Sequence, residues 1–250
     1  MLLLLAAVVG ISGLTWSQNL PSFDLLKEFQ VPELRGVQRV DGSGPAAVAY
    51  RLNPSIHLRR STSDVYPDGL PSDFSIIATF KVTEDTAGKS WDLWQVSDPE
   101  GKEQVGLRFH GDTRSLDFFY TSPHTRKMVR TFSGVERVFD GEWHKLALSV
   151  KADQVKLLID CQEVKVESVD QLRPVVLPGY TSIVKRASGD RSMSVDLQQM
   201  EVSCDPEKVH SEGCCELSSV VRLPPFCLII GQKCLNPDVA DSVEAMQSWD

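Results

Sequence analysis

The first 160 residues contain no cysteine, and nowhere does the chain carry a Gly-x-y run or an Asn-x-Ser/Thr acceptor, since "NPS" at Asn53 is blocked by proline. The first absence confines any disulfide framework to the last third. The second leaves nothing here that could wind into a triple helix. The third removes N-glycosylation. Positive charge is also short: 26 Lys and Arg against 34 Asp and Glu give a net charge of −8. A dedicated nucleic-acid binder would need the opposite balance. No Gly-x-Ser-x-Gly is present, and "DGSGP" at Asp41 has neither that spacing nor its strand–helix frame.

What is there reads as a globular chain. Apolar residues make up 42% and charged ones 24% of 250 residues, enough for one domain with a sizeable core. The opening "MLLLLAAVVGISGLTWSQ" is apolar from Leu2 to Leu14 and then polar. Thr15 and Ser17 are small enough for positions −3 and −1 of a cleavage site, so residues 1–17 are predicted to be a secretory signal. The run is too short to cross a bilayer about 30 Å thick, and "FCLII" from Phe226 is only a short patch, so no membrane span is expected. Six cysteines in a secreted chain imply disulfides: Cys161, Cys204, Cys214, Cys215, Cys227 and Cys234.

"SFDLLKEFQ" sets Leu25, Leu26 and Phe29 behind Ser22 and Asp24, which predicts a short capped helix. From Ala47 to Cys204 the period is two. Phe74, Ile76, Ala78, Phe80 and Val82 share one face, as do Val105, Leu107 and Phe109, and Leu116, Phe118 and Tyr120. Turn clusters such as "YPDGLPSD" and "HGDTR" separate the runs. Ten or more short strands at this spacing predict an all-β antiparallel sandwich. Within "WDLWQV" a regular strand sends Trp91 and Trp94 to opposite faces.

"FDGEWHKLALSVKADQVKLLIDCQEV", Phe139 to Val164, holds the residues most like catalytic parts: His144, Asp160 and Cys161. It reads instead as a hairpin. After the Asp140-Gly141 turn, His144, Leu146, Leu148 and Val150 lie on one face; after "KAD", Val155, Leu157, Ile159 and Cys161 form the next inward face. On such a strand Asp160 and Cys161 diverge. In "SVDLQQMEVSC", alternation slips near Gln198-Gln199, which predicts a bulge, and Cys204 ends the strand on its apolar face. The expected bridge is Cys161–Cys204.

Several stretches together resemble the thrombospondin N-terminal-like module, a laminin-G-like sandwich of jelly-roll type. They are "FDLLKEFQ", "YPDGLPSDFSIIATFKV", "WDLWQVSDPEGKEQVGLRF", "FDGEWHKLALSV", "LLIDC" and "DLQQMEVSCDPEKVHSEGCCEL". The closing Cys-Asp-Pro and Gly-Cys-Cys-Glu are similar to the version in fibril-associated collagens such as type IX and its relatives. The likeness implies a non-enzymatic domain of the extracellular matrix with matrix proteins, collagen fibrils and heparin or heparan sulfate as partners. It also implies the Cys161–Cys204 pairing. It sets the domain at 18–217, leaving 218–250 as a cysteine-containing, largely irregular tail. Related domains often have a cysteine ahead of the sandwich; none stands here, so Cys214 and Cys215 are expected to pair with Cys227 and Cys234 or with another chain.

No catalytic residue, cofactor or metal is assigned. Cys204-x₅-His210-x₃-Cys214-Cys215 has zinc-type ligands, but oxidised cysteines do not ligate. "SDPEG" at Ser97 could offer calcium carboxylates, as acidic turns often do without holding any. The specific activity left is polyanion binding by "HTRKMVR", with Arg126, Lys127 and Arg130 as candidates and Arg126 and Arg130 on the face of Met128. Arg59-Arg60 and Lys185-Arg186 are further basic pairs. A calcium-dependent lectin-like module or a carbohydrate-directed enzyme is the alternative reading.

Overall fold

The computed structural model describes residues 20–124, 127–175 and 177–217, and the backbone of a two-residue strand pair, Ile229–Ile230 and Lys233–Cys234. The expected signal segment, Arg126, Cys227 and most of the tail lie outside the described residues.

Alternation of apolar and polar residues generates fourteen strands: β1 (Ser22–Asp24), β2 (Val37–Asp41), β3 (Val48–Leu52), β4 (Arg59–Ser61), β5 (Phe74–Val82), β6 (Ser90–Ser97), β7 (Glu103–His110), β8 (Ser115–Thr121), β9 (Lys127–Phe132), β10 (Trp143–Lys151), β11 (Gln154–Ile159), β12 (Gln162–Ser168), β13 (Tyr180–Arg186) and β14 (Val195–Ser203). They form an eight-stranded sheet, β12-β11-β10-β5-β14-β3-β2 with β1 also on β14, and a six-stranded sheet, β4-β13-β6-β7-β8-β9. Every pairing is antiparallel. The fold is the all-β sandwich that the period-two pattern predicts.

Register turns the inward residues into rows. Leu157, Leu148, Ile76 and Val202 stand abreast in the larger sheet, and Ile159, Leu146, Ala78 and Met200 beside them. In the smaller sheet Trp91, Phe109, Leu116 and Phe132 form one row and Val96, Val105, Tyr120 and Met128 another. Aromatic rings close the layer between sheets: Phe80 lies 6.1 Å from Trp91 and 5.7 Å from Phe109, and Phe74 lies 5.8 Å from Trp94. Such rings supply most of the buried area and add edge-to-face attraction.

Trp91 and Trp94 correct the sequence expectation. They do not face opposite ways; both are wholly buried. Asp92 pairs with Arg108 and Trp94 with Leu107, so Leu93 is an extra residue on β6. A bulge of one residue restores the face of everything after it. Trp94 then donates its indole N–H to Tyr66 Oη at 3.0 Å, inside the core. Burial, despite that bond, pushes the Tyr66 phenol well above its ordinary range. The bulge expected near Gln198-Gln199 is present, as a register shift between Leu197 and Gln199. The short helix is present too: Leu25–Glu28, with Asp24 Oδ1 accepting from Leu26 N at 3.0 Å.

The larger sheet has a second apolar patch on its outer face, Ile77 and Ala147, and the chain after β14 covers it. Pro206–His210 forms a 3₁₀ turn whose Val209 packs on that pair. Ser75 Oγ donates to Asp205 O and Ser149 Oγ to Pro206 O, at 2.7 and 2.8 Å. Residues 204–217 are therefore a strap across the back of the sandwich.

Tyr66→Phe leaves the Trp94 N–H without a partner in a dry core. Equilibrium urea unfolding should show a loss of about 1–3 kcal/mol, the cost of a buried orphan donor, rather than the few tenths expected of an exposed hydroxyl.

Candidate functional site

His144 sits at the start of β10, 3% exposed, between two carboxylates. Its Nδ1 is 2.9 Å from Asp160 Oδ2 and its Nε2 3.0 Å from Asp140 Oδ1. Asp160 Oδ1 accepts from the Lys145 N–H at 2.9 Å, and Arg137 Nη1 lies 3.7 Å from Oδ2. Asp160 comes into reach because β11 ends at Ile159. Asp160 and Cys161 form a two-residue turn, both with positive φ (53° and 62°). Such a primed turn matches strand twist and is unusual for a cysteine. Burial alone would lower the His144 pKa; the hydrogen bonds and charges of Asp160 and Asp140 outweigh it, and the net direction is upward. With each of its two ring nitrogens against a carboxylate, His144 has no nitrogen left open to a substrate and is not placed to serve as a general base. It clamps the β11–β12 turn to β10.

The same turn corrects the disulfide. Cys161 is not on an inward strand face; it stands exposed at the turn tip and bonds to Cys214, with Cα atoms 6.0 Å apart. Cys204 could not reach it. Cys204 directly follows β14, which is separated from β11 by β10 and β5, three spacings or about 14 Å. A disulfide allows under about 7 Å between Cα atoms. Along the strands the pair is also at opposite ends, because Ser203 is level with Lys156 through Ser75 and Ser149. Cys204 is instead a half-buried free thiol packed on the core, its pKa raised by burial. Cys215 is disulfide-bonded as well, and its pairing falls outside the described residues.

Beside the disulfide, Lys145 ties the strap to the sheet. Its Nζ donates to Gly213 O at 2.8 Å and meets Glu216 Oε1 at 2.5 Å and Glu212 Oε2 at 3.4 Å. A cavity of about 150 Å³ remains under the strap, lined by Lys145, Ala147, Leu158 and Cys161 from the sheet side and by Val209, His210 and Glu212.

The basic candidates do not converge. Lys127 and Arg130 occupy opposite faces of β9. Arg130 falls in the inward row Trp94–Leu107–Phe118–Arg130 on the face of Met128, as the alternation predicts. At the sheet edge its Nε donates to Ser168 O at 2.6 Å, joining β9 to the end of β12 in the other sheet. Lys127 points outward and is ion-paired with Glu103.

Glu103 belongs to a network that the sequence reading missed. Arg108 grips the fully buried Asp92 with Nε at 2.6 Å and Nη2 at 3.1 Å, and also pairs with Glu103. Lys185 Nζ completes it, 3.5 Å from Asp92 Oδ2. Arg108 and Lys127 both lie over the Phe119 ring, at 5.2 and 4.9 Å. Opposing charges hold Glu103 below its usual value and Arg108 above, against desolvation that pushes each the other way. Asp92 stood hidden between two tryptophans, and only the Leu93 bulge places it on the outer face opposite Arg108.

No family model matches the chain. Curated relatives do. The collagen alpha-1(XXI) chain of Xenopus laevis is 31% identical over 199 residues, 78% of this chain and 20% of that one. The human collagen alpha-1(XVI) chain is 30% identical over 210 residues, 84% of this chain and 12% of that one. This chain thus spans a fifth or less of these relatives. Among solved structures, the binding domain of Paraclostridial Mosquitocidal Protein 1 aligns with 70% of this chain and 45% of that one at 15% identity and a TM-score of 0.45.

Three variants test the site. For His144→Ala, the folded-state pKa of the native group lies above its unfolded value of 6.5. The stabilisation is therefore fully present below about pH 6.5 and is lost as pH rises through the raised folded value. The stability gap to the native chain, followed by urea unfolding, should be widest near pH 6 and narrow on going alkaline. Replacing Cys161 and Cys214 by Ala should cost up to about 4 kcal/mol for a sequence separation of 53. Cys204→Ala should cost about 1 kcal/mol, the loss of one packed group.

Proposed function

The chain belongs with the fibril-associated collagens through its thrombospondin N-terminal-like domain, and from that we propose that it is a secreted, non-enzymatic interaction domain of the extracellular matrix. It would present a rigid surface to matrix proteins and collagen fibrils. The observation that carries the reading is the identity of about 30% to collagens XXI and XVI over most of the chain. The chemistry of the described residues agrees with it. The grouping most like an acid–base centre, Asp140–His144–Asp160, has both ring nitrogens committed. No described helix is long and apolar enough to cross a membrane.

Within that role we assign heparan-sulfate-type glycosaminoglycan to the outer face of β9 through Lys127, with Arg126, next in sequence and outside the described residues, as the second candidate cation. A sulfated chain would compete with Glu103 for Lys127, an exchange between two surface ion pairs that salt screens strongly. Arg130, on the other face and bonded to Ser168 O, takes no part in the contact.

Heparin-affinity chromatography separates these roles. Arg126→Ala with Lys127→Ala should elute at lower salt than the native chain, whereas Arg130→Ala should elute with it and show lower stability instead. Elution of all three together would remove this contact from the account. The matrix role itself is read separately, by retention of the secreted chain on reconstituted collagen fibrils.

A further inference from the structure

We propose that the outer face of the six-stranded sheet, next to the charge network, is a calcium-independent site for an unsulfated glycan held through its hydroxyl and acetamido groups. The floor is built by register. Ser182 on β13, Gln95 on β6 and Gly106 on β7 stand abreast, with Tyr180 opposite Ser97 one step along. Gln95, Ser97 and Ser182 are 5%, 9% and 6% exposed. None of the three side chains makes a hydrogen bond among the described residues, although Trp91 Nε1 alone is both sealed from solvent and unpaired there. Register sets their amide and hydroxyls on the outer side of the sheet, nine-tenths buried among neighbouring side chains and with donor and acceptor capacity unused.

The walls are fixed. Gly106 must lack a side chain, because a Cβ would lie 2.5 Å from Phe119 Cζ and 2.6 Å from Trp94 O. The Phe119 ring fills that space and carries Arg108 and Lys127 above it. On the other side Arg59 lies 3.7 Å over the Tyr180 ring. The floor spans the two strand spacings from β13 to β7, about 10 Å, and the walls stand on β4 and β8 to either side.

The chemistry selects the ligand class. An apolar ligand would strip water from the floor and leave three polar side chains unpaired, at a cost of about 1–3 kcal/mol each. A sulfate or phosphate needs a cluster of free cations, yet Arg108 and Lys185 are held by Asp92, and Arg108 also by Glu103; Arg59, on the Tyr180 ring, is the one wall cation without a carboxylate partner among the described residues. A sugar chain answers amide and hydroxyls with hydroxyls and acetamido groups, and it leaves the ion pairs intact. Such a ligand would need no metal. The inference differs from the contact at Lys127, where the ammonium itself meets a sulfated chain; here Lys127 only packs on the Phe119 ring at the site's border.

Isothermal titration of the native full chain in EDTA, with N-acetylglucosamine tetramer and with an unsulfated hyaluronan octasaccharide, tests it. At least one should bind, and Gln95→Leu and Ser182→Ala should each weaken it about tenfold, the worth of one lost hydrogen bond, with the melting temperature unchanged. Ser182→Ala removes a single oxygen, so it keeps the test open if Gln95→Leu misfolds. No binding of either oligosaccharide, or binding that both variants retain, overturns the proposal. So does binding confined to a heparin octasaccharide and abolished by Lys127→Ala.

Discussion

The larger sheet is apolar on both faces where β5 and β10 meet, and most of the architecture answers that one constraint. Ile76, Ala78, Leu146 and Leu148 face the smaller sheet, while Ile77 and Ala147 face away from it. A two-layer sandwich covers only one side of a sheet. The second cover is the strap 204–217, an irregular segment that cannot rely on strand pairing for its place. It is pinned at both ends. Backbone and hydroxyl bonds hold it at Asp205 and Pro206, and Lys145 and the Cys161–Cys214 bridge hold it at 213–214. His144 serves the same end, because it fixes the turn from which Cys161 reaches across.

Charge is handled by the same economy. The chain is acidic, and its conspicuous cations are mostly tied to carboxylates or carbonyls: Arg108 and Lys185 to Asp92, Lys127 to Glu103, Lys145 to Glu212 and Glu216, Arg130 to Ser168 O. Partly buried pairs of this kind set side-chain geometry more than they add net stability. A surface arranged so is stiff, and what it offers to a partner is position. That suits a module whose relatives lie at one part of long collagen chains.

The strands were legible because alternation is a direct imprint of a half-buried sheet. The faces of β5, β7, β8 and β10 follow from sequence alone, and so do the Gln198 bulge and a cap at Ser22 or Asp24, of which Asp24 takes the role. Two things escaped for definite physical reasons. The Leu93 bulge leaves no mark in composition, yet it reverses Trp94 and hides the Asp92–Arg108 pair. The Asp160-Cys161 turn was read as strand because neither residue is a glycine or asparagine, the usual occupants of positive φ. That misreading carried Cys161 to the wrong face and so to the wrong partner. Lys127 and Arg130 show a third limit: clustering in sequence is not convergence in space when the period is two.

The strap and its staple are tested most directly by mass-spectrometric peptide mapping of the secreted chain, alkylated before reduction. The account predicts a linked peptide joining Cys161 to Cys214 and an alkylated Cys204 once the chain is unfolded. A peptide joining Cys161 to Cys204, or Cys161 recovered with an alkyl group, would contradict it.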